Sequence, residues 1–218
     1  MEITPITVHY LFGVNTYLLK TETGYYLIDT GITKKRDQLE KQLDEAGCQK
    51  GDLKLIIITH GHLDHVGNAA YLRDKYGAKI VMHSGDSKMV ESGDMFVDTK
   101  GGIMIRLIGV LMKILGLGEY EKFTPDMYLE DLQDLSAYGL NAKVIHTPGH
   151  SNGSISVLTA EGDLFCGDLF NNNSKPEKAS LIQDPRLLDA SVERLKALKI
   201  ATVYPGHGKP FRMEQLTE

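Results

Sequence analysis

The sequence predicts an α/β protein in which two β-sheets pack face to face beneath outer helices, with residues 1–218 forming one domain. Two observations lead there. Short runs rich in β-branched and aromatic residues recur in both halves of the chain. Each half also carries segments with leucines at helical spacing. Strand-rich halves that each end with a helix bury their apolar faces as sheet on sheet, with helices outside.

Taken in order, Ile3–Tyr10 and Val14–Thr21 read as strands, and Gly13 between them suggests a hairpin. Tyr25–Ile28 is a third strand, ending at Asp29. Lys34–Ala46 reads as a helix with Leu39 and Leu43 on one face and Gly47 as its stop. Leu55–Ile58 reads as a buried strand, Asn68–Tyr76 as a helix stopped by Gly77, and Lys79–Met82 as the next strand. In the second half Ala142–Ile145, Ser154–Leu158, Leu164–Cys166 and Ala201–Tyr204 are expected strands, and Leu187–Leu198 a helix.

Hydrophobic content of 42% and charged content of 24% suit a globular chain with a sizeable core. A net charge of −5 with no basic cluster argues against a nucleic-acid partner, because phosphate neutralisation needs a basic face. Cys48 and Cys166 are too few for a disulfide framework, and Met1–Tyr10 lacks the basic and apolar regions of a secretory signal. A cytoplasmic location is therefore expected.

The chemistry concentrates in Thr59–Asn68, which places His60, His62, Asp64 and His65 directly after the apolar run Leu55–Ile58. Imidazole nitrogens and a carboxylate packed so densely suit a borderline cation such as Zn²⁺. His60 and His62 alternate to one side while Asp64 and His65 turn the other way, so one loop can serve two neighbouring ions. A solvated His-rich loop is the bland alternative, and the buried strand leading into the cluster disfavours it. Further candidates follow on separate loops after strand-like segments: His150 in Thr147-Pro148-Gly149-His150, Asp168 in Cys166-Gly167-Asp168, and His207 in Pro205-Gly206-His207-Gly208. Each sits beside glycine, where backbone can bend sharply near an ion.

These motifs, with Leu27-Ile28-Asp29-Thr30-Gly31 upstream, resemble the metallo-β-lactamase superfamily over nearly the whole chain, in its glyoxalase II-like and acyl-homoserine lactonase-like branch. The resemblance implies a four-layer αββα sandwich with a metal edge where the halves meet. It implies that His60, His62 and His150 hold one divalent ion, that Asp64, His65 and His207 hold a second, and that Asp168 bridges them. Zn is expected, with Mn or Fe as alternatives. Two ions roughly 3.5–4 Å apart can lower the pKa of a shared water towards neutrality. The expected reaction is hydrolysis of a small ester, thioester or lactone, with Asp64 both a ligand and a proton acceptor. Asp29 is expected to orient a histidine ligand or its loop. A phosphodiesterase or nuclease, and a non-hydrolytic sensor or iron oxygenase, are the alternative readings.

Residues 84–141 interrupt the family pattern as a mostly apolar helical insert. Its centre, 103–117, is apolar except for Arg106 and Lys113, and is shorter than the about 20 residues a bilayer span needs. A lid over the metal edge is favoured over a core helix, a dimer interface or a membrane-surface contact. The expected partner is a small-molecule substrate with an apolar group, bound by a monomer or homodimer with no stable membrane span. His9 and His146 read as structural and His83 as solvated or supporting. Cys166 reads as core, and Tyr120 and Tyr128 are candidate phenols for the site.

Overall fold

A computed structural model describes residues 1–9, 13–97, 120–180 and 182–216. The first half forms a sheet in the order β1 (Glu2–His9), β2 (Gly13–Thr21), β3 (Gly24–Ile28), β4 (Leu53–Ile57), β5 (Lys79–Met82) and β6 (Met127–Tyr128). β1, β2 and β3 pair antiparallel, and β3 to β6 pair parallel. Parallel neighbours need crossovers. α1 (Arg36–Glu45) carries the chain from β3 to β4, α2 (Leu63–Val66) and α3 (Ala69–Tyr76) from β4 to β5, and α4 (Ser87–Ser92) follows β5. The second half supplies β7 (Ala142–His146), β8 (Ile155–Thr159), β9 (Asp163–Asn172), β10 (Glu177–Lys178), β11 (Thr202–Gly208) and β12 (Phe211–Arg212). Their spatial order is β12-β11-β9-β8-β7, with β10 on β9. α5 (Pro185–Lys196) is the crossover that lets β11 lie parallel to β9.

Period-two alternation sorts each strand's side chains between layers. Leu55 and Ile57 of β4 meet Tyr17, Ile28, Val144, Val157 and Phe165 in the core between the sheets. Ile56 and the following Ile58 point the other way, into a core shared with Leu39 and Leu43 of α1 and Leu72 of α3. On the far side Leu164, Cys166 and Val203 pack with Leu188, Val192 and Leu195 of α5. Three apolar cores between four layers make the expected αββα sandwich. Ile57 is fully buried, so its truncation to alanine would cost about 2–5 kcal/mol.

Several boundaries differ from the sequence expectation. The predicted helix 34–46 begins as a 3-10 turn, Thr33–Lys35, before α1 starts. α5 begins two residues earlier than Leu187, because Asp184 accepts hydrogen bonds from Arg186 N and Leu187 N while Pro185 fills the first turn. β9 and β11 run on past Cys166 and Tyr204, so Asp168 and His207 lie within strands rather than on loops. Gly167 at φ +49° and two register shifts around Pro205 break the alternation there, which is why these strand ends read as loops in sequence. Within the predicted helical insert, the described flanks hold α4 but also β6, which extends the first sheet beside β5. The segment 103–117, and with it the expected lid, lies outside the described residues. Among the described residues no helix is long and apolar enough to cross a membrane.

Candidate metal centre

The histidine-rich loop leaves β4 and is tied at once to the end of β3. Asp29 accepts from Thr59 N at 2.8 Å through Oδ1 and from Thr59 Oγ1 at 2.7 Å through Oδ2. The same Oδ2 lies 2.8 Å from His65 Nδ1, so that nitrogen carries the proton and Nε2 is left facing the centre. Asp29 achieves this at φ +59°, a left-handed backbone that costs a non-glycine residue on the order of 1–2 kcal/mol. The three hydrogen bonds offset that strain. Thr30 adds two more, from N and Oγ1 to His65 O, and α2 carries Asp64 and His65 into place.

The other candidates arrive on three separate strand ends. His150 follows β7 in a turn closed by Thr147 N donating to Ser154 O. Asp168 sits at the irregular point of β9, where Gly206 of β11 leaves room for it: a Cβ there would collide with Asp168 Oδ1. His207 donates from Nδ1 to Gly13 O at 2.7 Å, which turns its Nε2 inward. The β11 backbone beside it is anchored by Tyr17 Oη and Asn15 Nδ2, both donating to Pro205 O.

The result is two adjoining corners. His60, His62 and His150 each offer an atom within 4.8 Å of the others, and so do Asp64, His65 and His207. Asp168 lies between them. Its Oδ2 is 4.0 Å from His60 Nε2 and 3.7 Å from His150 Nε2, and 3.4 Å from His207 Nε2; its Oδ1 is 3.3 Å from His65 Nε2. Asp64 Oδ2 stands 3.3 Å from His207 Nε2. All seven residues singled out in the sequence therefore converge.

Electrostatics separates the corners. Burial, reinforced by the surrounding imidazoles, pushes His60 well below its ordinary range, and burial with the His150 ring beside it takes His62 down to about 3. Burial works the same way on His65, but the Asp168, Asp29 and Asp64 charges outweigh it and raise His65 well above its usual value. His207 is likewise lifted to about 10, as hydrogen bonds to Asp168 and Asp64 overcome its burial. Asp64 and Asp168 are held low: burial opposes this, but the facing His65 and His207 prevail.

The donor set fits divalent cations. His65 Nε2 and Asp168 Oδ1 are buried with no hydrogen-bond partner, a costly arrangement unless a cation meets both. The nitrogens of His60, His62 and His150 also crowd together, with His150 Nε2 at 3.2 Å from His60 Nε2 and 2.9 Å from His62 Nδ1. Three nitrogen donors aimed at one point suit zinc-like ions.

The remaining candidates stand apart from these clusters. His83 and His146 stack on each other at 4.0 Å between ring centroids. Cys166 packs into the core beneath α5. Tyr120 Oη donates to Met89 O, and Tyr128 is exposed with its phenol on Glu91. Sequence reasoning missed Asp86, Asn15 and Tyr17, whose buried polar groups hold the metal-side turns. A polar residue inside an otherwise apolar strand is a signal for Asn15, whereas Asp86, on a turn, carries none.

The fold and site together define the class. Residues 9–207 match the metallo-beta-lactamase superfamily, and the chain belongs to that family. Among relatives, the Beta-lactamase-like protein 2 homolog of Drosophila melanogaster is 28% identical over 198 residues, covering 91% of this chain. The chain spans only 59% of that relative's length. The Hydroxyacylglutathione hydrolase GloC of Haemophilus influenzae is 28% identical over 172 residues, covering 78% of this chain and 71% of its own. The solved structure of TTHA1623 in a di-iron-bound form aligns with a TM-score of 0.76 at 27% identity, covering 97% of this chain and 96% of that one.

Proposed function

We propose that the chain is a metal-dependent hydrolase of small esters, thioesters or lactones. In this reading His60, His62 and His150 would hold one divalent ion and Asp64, His65 and His207 the other, with the Asp168 carboxylate lying between the two sets. The observation that supports it most is the convergence of these seven side chains around two buried atoms without a hydrogen bond, His65 Nε2 and Asp168 Oδ1, which face each other at 3.3 Å. When bound, two such ions supply Lewis acidity and make water a nucleophile near neutral pH. Zn fits the donors, and Mn or Fe fit them as well. A relative named for hydroxyacylglutathione hydrolysis favours a thioester among the substrates, and a small molecule with an apolar group is the expected partner.

The chain's own residues fill defined parts. Asp29 and Gly13 O fix the proton of His65 and His207 on Nδ1, leaving each Nε2 free to ligate. Asp64 is the more exposed carboxylate, at 32% against 14% for Asp168, and is placed to take up a proton at its outer edge. Among the described residues, a hydroxyl and a thiol near the site are both engaged or deeply buried. Ser151 Oγ is engaged by Asp86 and Ser154, and burial pushes the Cys166 thiol far above its usual range.

Metal analysis of purified protein, followed by a panel of esters, thioesters, lactones and phosphodiesters, tests this. Two ions per chain are expected, with carboxylic ester or thioester hydrolysis lost on chelation and restored by Zn, Mn or Fe. Activity that persists in metal-free protein, or cleavage of phosphodiesters alone, would overturn it.

A further inference from the structure

Asp86 belongs to neither corner, yet it touches both turns that form the three-histidine one. It is fully buried, at the end of the 3-10 turn Ser84–Asp86 that follows β5. Oδ2 accepts from Gly61 N at 2.9 Å and from Ser151 Oγ at 2.6 Å. Oδ1 accepts from Gly153 N at 2.7 Å. Gly61 lies between His60 and His62, and Ser151 follows His150, so one carboxylate spans the two turns that carry all three histidines.

The two turns pack closely against Asp86. A Cβ on Gly61 would stand 3.2 Å from Asp86 Cβ, and one on Gly153 would stand 2.5 Å from Asp86 N. The turn is itself fixed from above, because His83 Nδ1 accepts from Gly85 N at 3.1 Å. All three groups facing Asp86 are donors. An asparagine of the same shape would present its amide protons to at least one of them, converting a clamp into a repulsive contact.

We propose that Asp86 is a positioning residue for the three-histidine corner: it locks the Gly61 and Ser151 turns in the register that lets His60, His62 and His150 meet one divalent ion together. The other corner is held by different groups, Asp29 and Thr30 for His65 and Gly13 O for His207. Loss of Asp86 therefore acts on one ion and spares its neighbour. This inference rests on the ligand assignment proposed above.

The test is a Zn²⁺ titration against a chromophoric chelator on wild type, Asp86→Asn and Ser151→Ala. Co²⁺ absorption reads the ligand geometry, and the melting temperature of the metal-free protein is measured alongside. In Asp86→Asn one ion is expected to weaken by about 10–100-fold, with an altered cobalt spectrum, while the other keeps its affinity. Ser151→Ala leaves both glycine N–H bonds in place and should weaken the same ion less. Two ions at wild-type affinity in Asp86→Asn, or equal weakening of both, would overturn the proposal. If Asp86→Asn does not fold, Ser151→Ala decides, and unchanged affinity for both ions counts against the clamp. Wild-type protein that binds no ion would remove the ligand assignment and this inference together, whereas two ions in wild type with no effect of either variant removes the clamp alone.

Discussion

The two corners of the centre are built from similar residues, but their surroundings shift the histidines in opposite directions. His60, His62 and His150 face one another, and burial keeps the first two neutral far below ordinary histidine titration. His65 and His207 face Asp64, Asp168 and Asp29, whose charges and hydrogen bonds raise His65 well above its usual value and His207 to about 10. One corner is a set of nitrogen donors in which burial disfavours the charged form of His60 and His62. The other is an ion-pair network in which protons occupy the place a cation would take. Imidazole count alone therefore says little about a metal site; the carboxylates behind each ring decide whether it is already prepared to bind.

Removing the residue shared by both corners should have the largest effect. Asp168→Asn keeps the shape but loses the charge that faces His60 and His150 on one side and His65 and His207 on the other. Hydrolysis should fall by more than the about 10–100-fold expected for Asp29→Asn, which acts only through His65 and Thr59. Steady-state kinetics on the best substrate compares them, and equal losses would mean that Asp168 does not join the corners. His62→Ala and His207→Ala come next, each removing a donor from a different corner. Metal counted by inductively coupled plasma mass spectrometry should drop towards one ion per chain in each, and two ions retained in both would break the division.

The smallest effect lies outside the corners, at His83. Burial and the stacked His146 ring lower its pKa, against the raising influence of Glu130, Asp86 and Asp131. With the folded value below the unfolded one of about 6.5, its contribution is complete above that pH and is lost as pH falls below it. Its Nδ1 also accepts from Gly85 N only when unprotonated. In chelated protein, His83→Asn keeps a capping acceptor and should flatten the fall in Tm between about pH 7.5 and 5.5 by on the order of 1–2 °C. An unchanged slope would show that His83 contributes nothing there.

Much of this was legible in the chain. The unbroken apolar run Leu55, Ile56, Ile57 and Ile58 announces a strand buried on both faces, and it is one. The clustered His60, His62, Asp64 and His65 declare their chemistry by density alone. Asp168 and His207 were readable as candidates but not as strand residues, because Gly167 and the Pro205 irregularity interrupt the pattern that would mark a ladder. Asp86 was not legible at all. Its partners Gly61, Ser151 and Gly153 offer ordinary backbone and hydroxyl donors, and the nearest of them is 25 residues away. Supporting hydrogen bonds of this kind depend on which turns the two halves bring together, and no local spacing encodes that.

The most direct test of two unlike corners is calorimetric titration of the chelated protein with Zn²⁺, repeated across about pH 7 to 9 in buffers of different ionisation enthalpy. Two binding steps are expected. One releases few protons and is nearly flat with pH, because His60 and His62 are already neutral. The other releases the protons held on His65 and His207 and tightens as pH rises. A single step, or two steps with the same proton release and pH dependence, would contradict it.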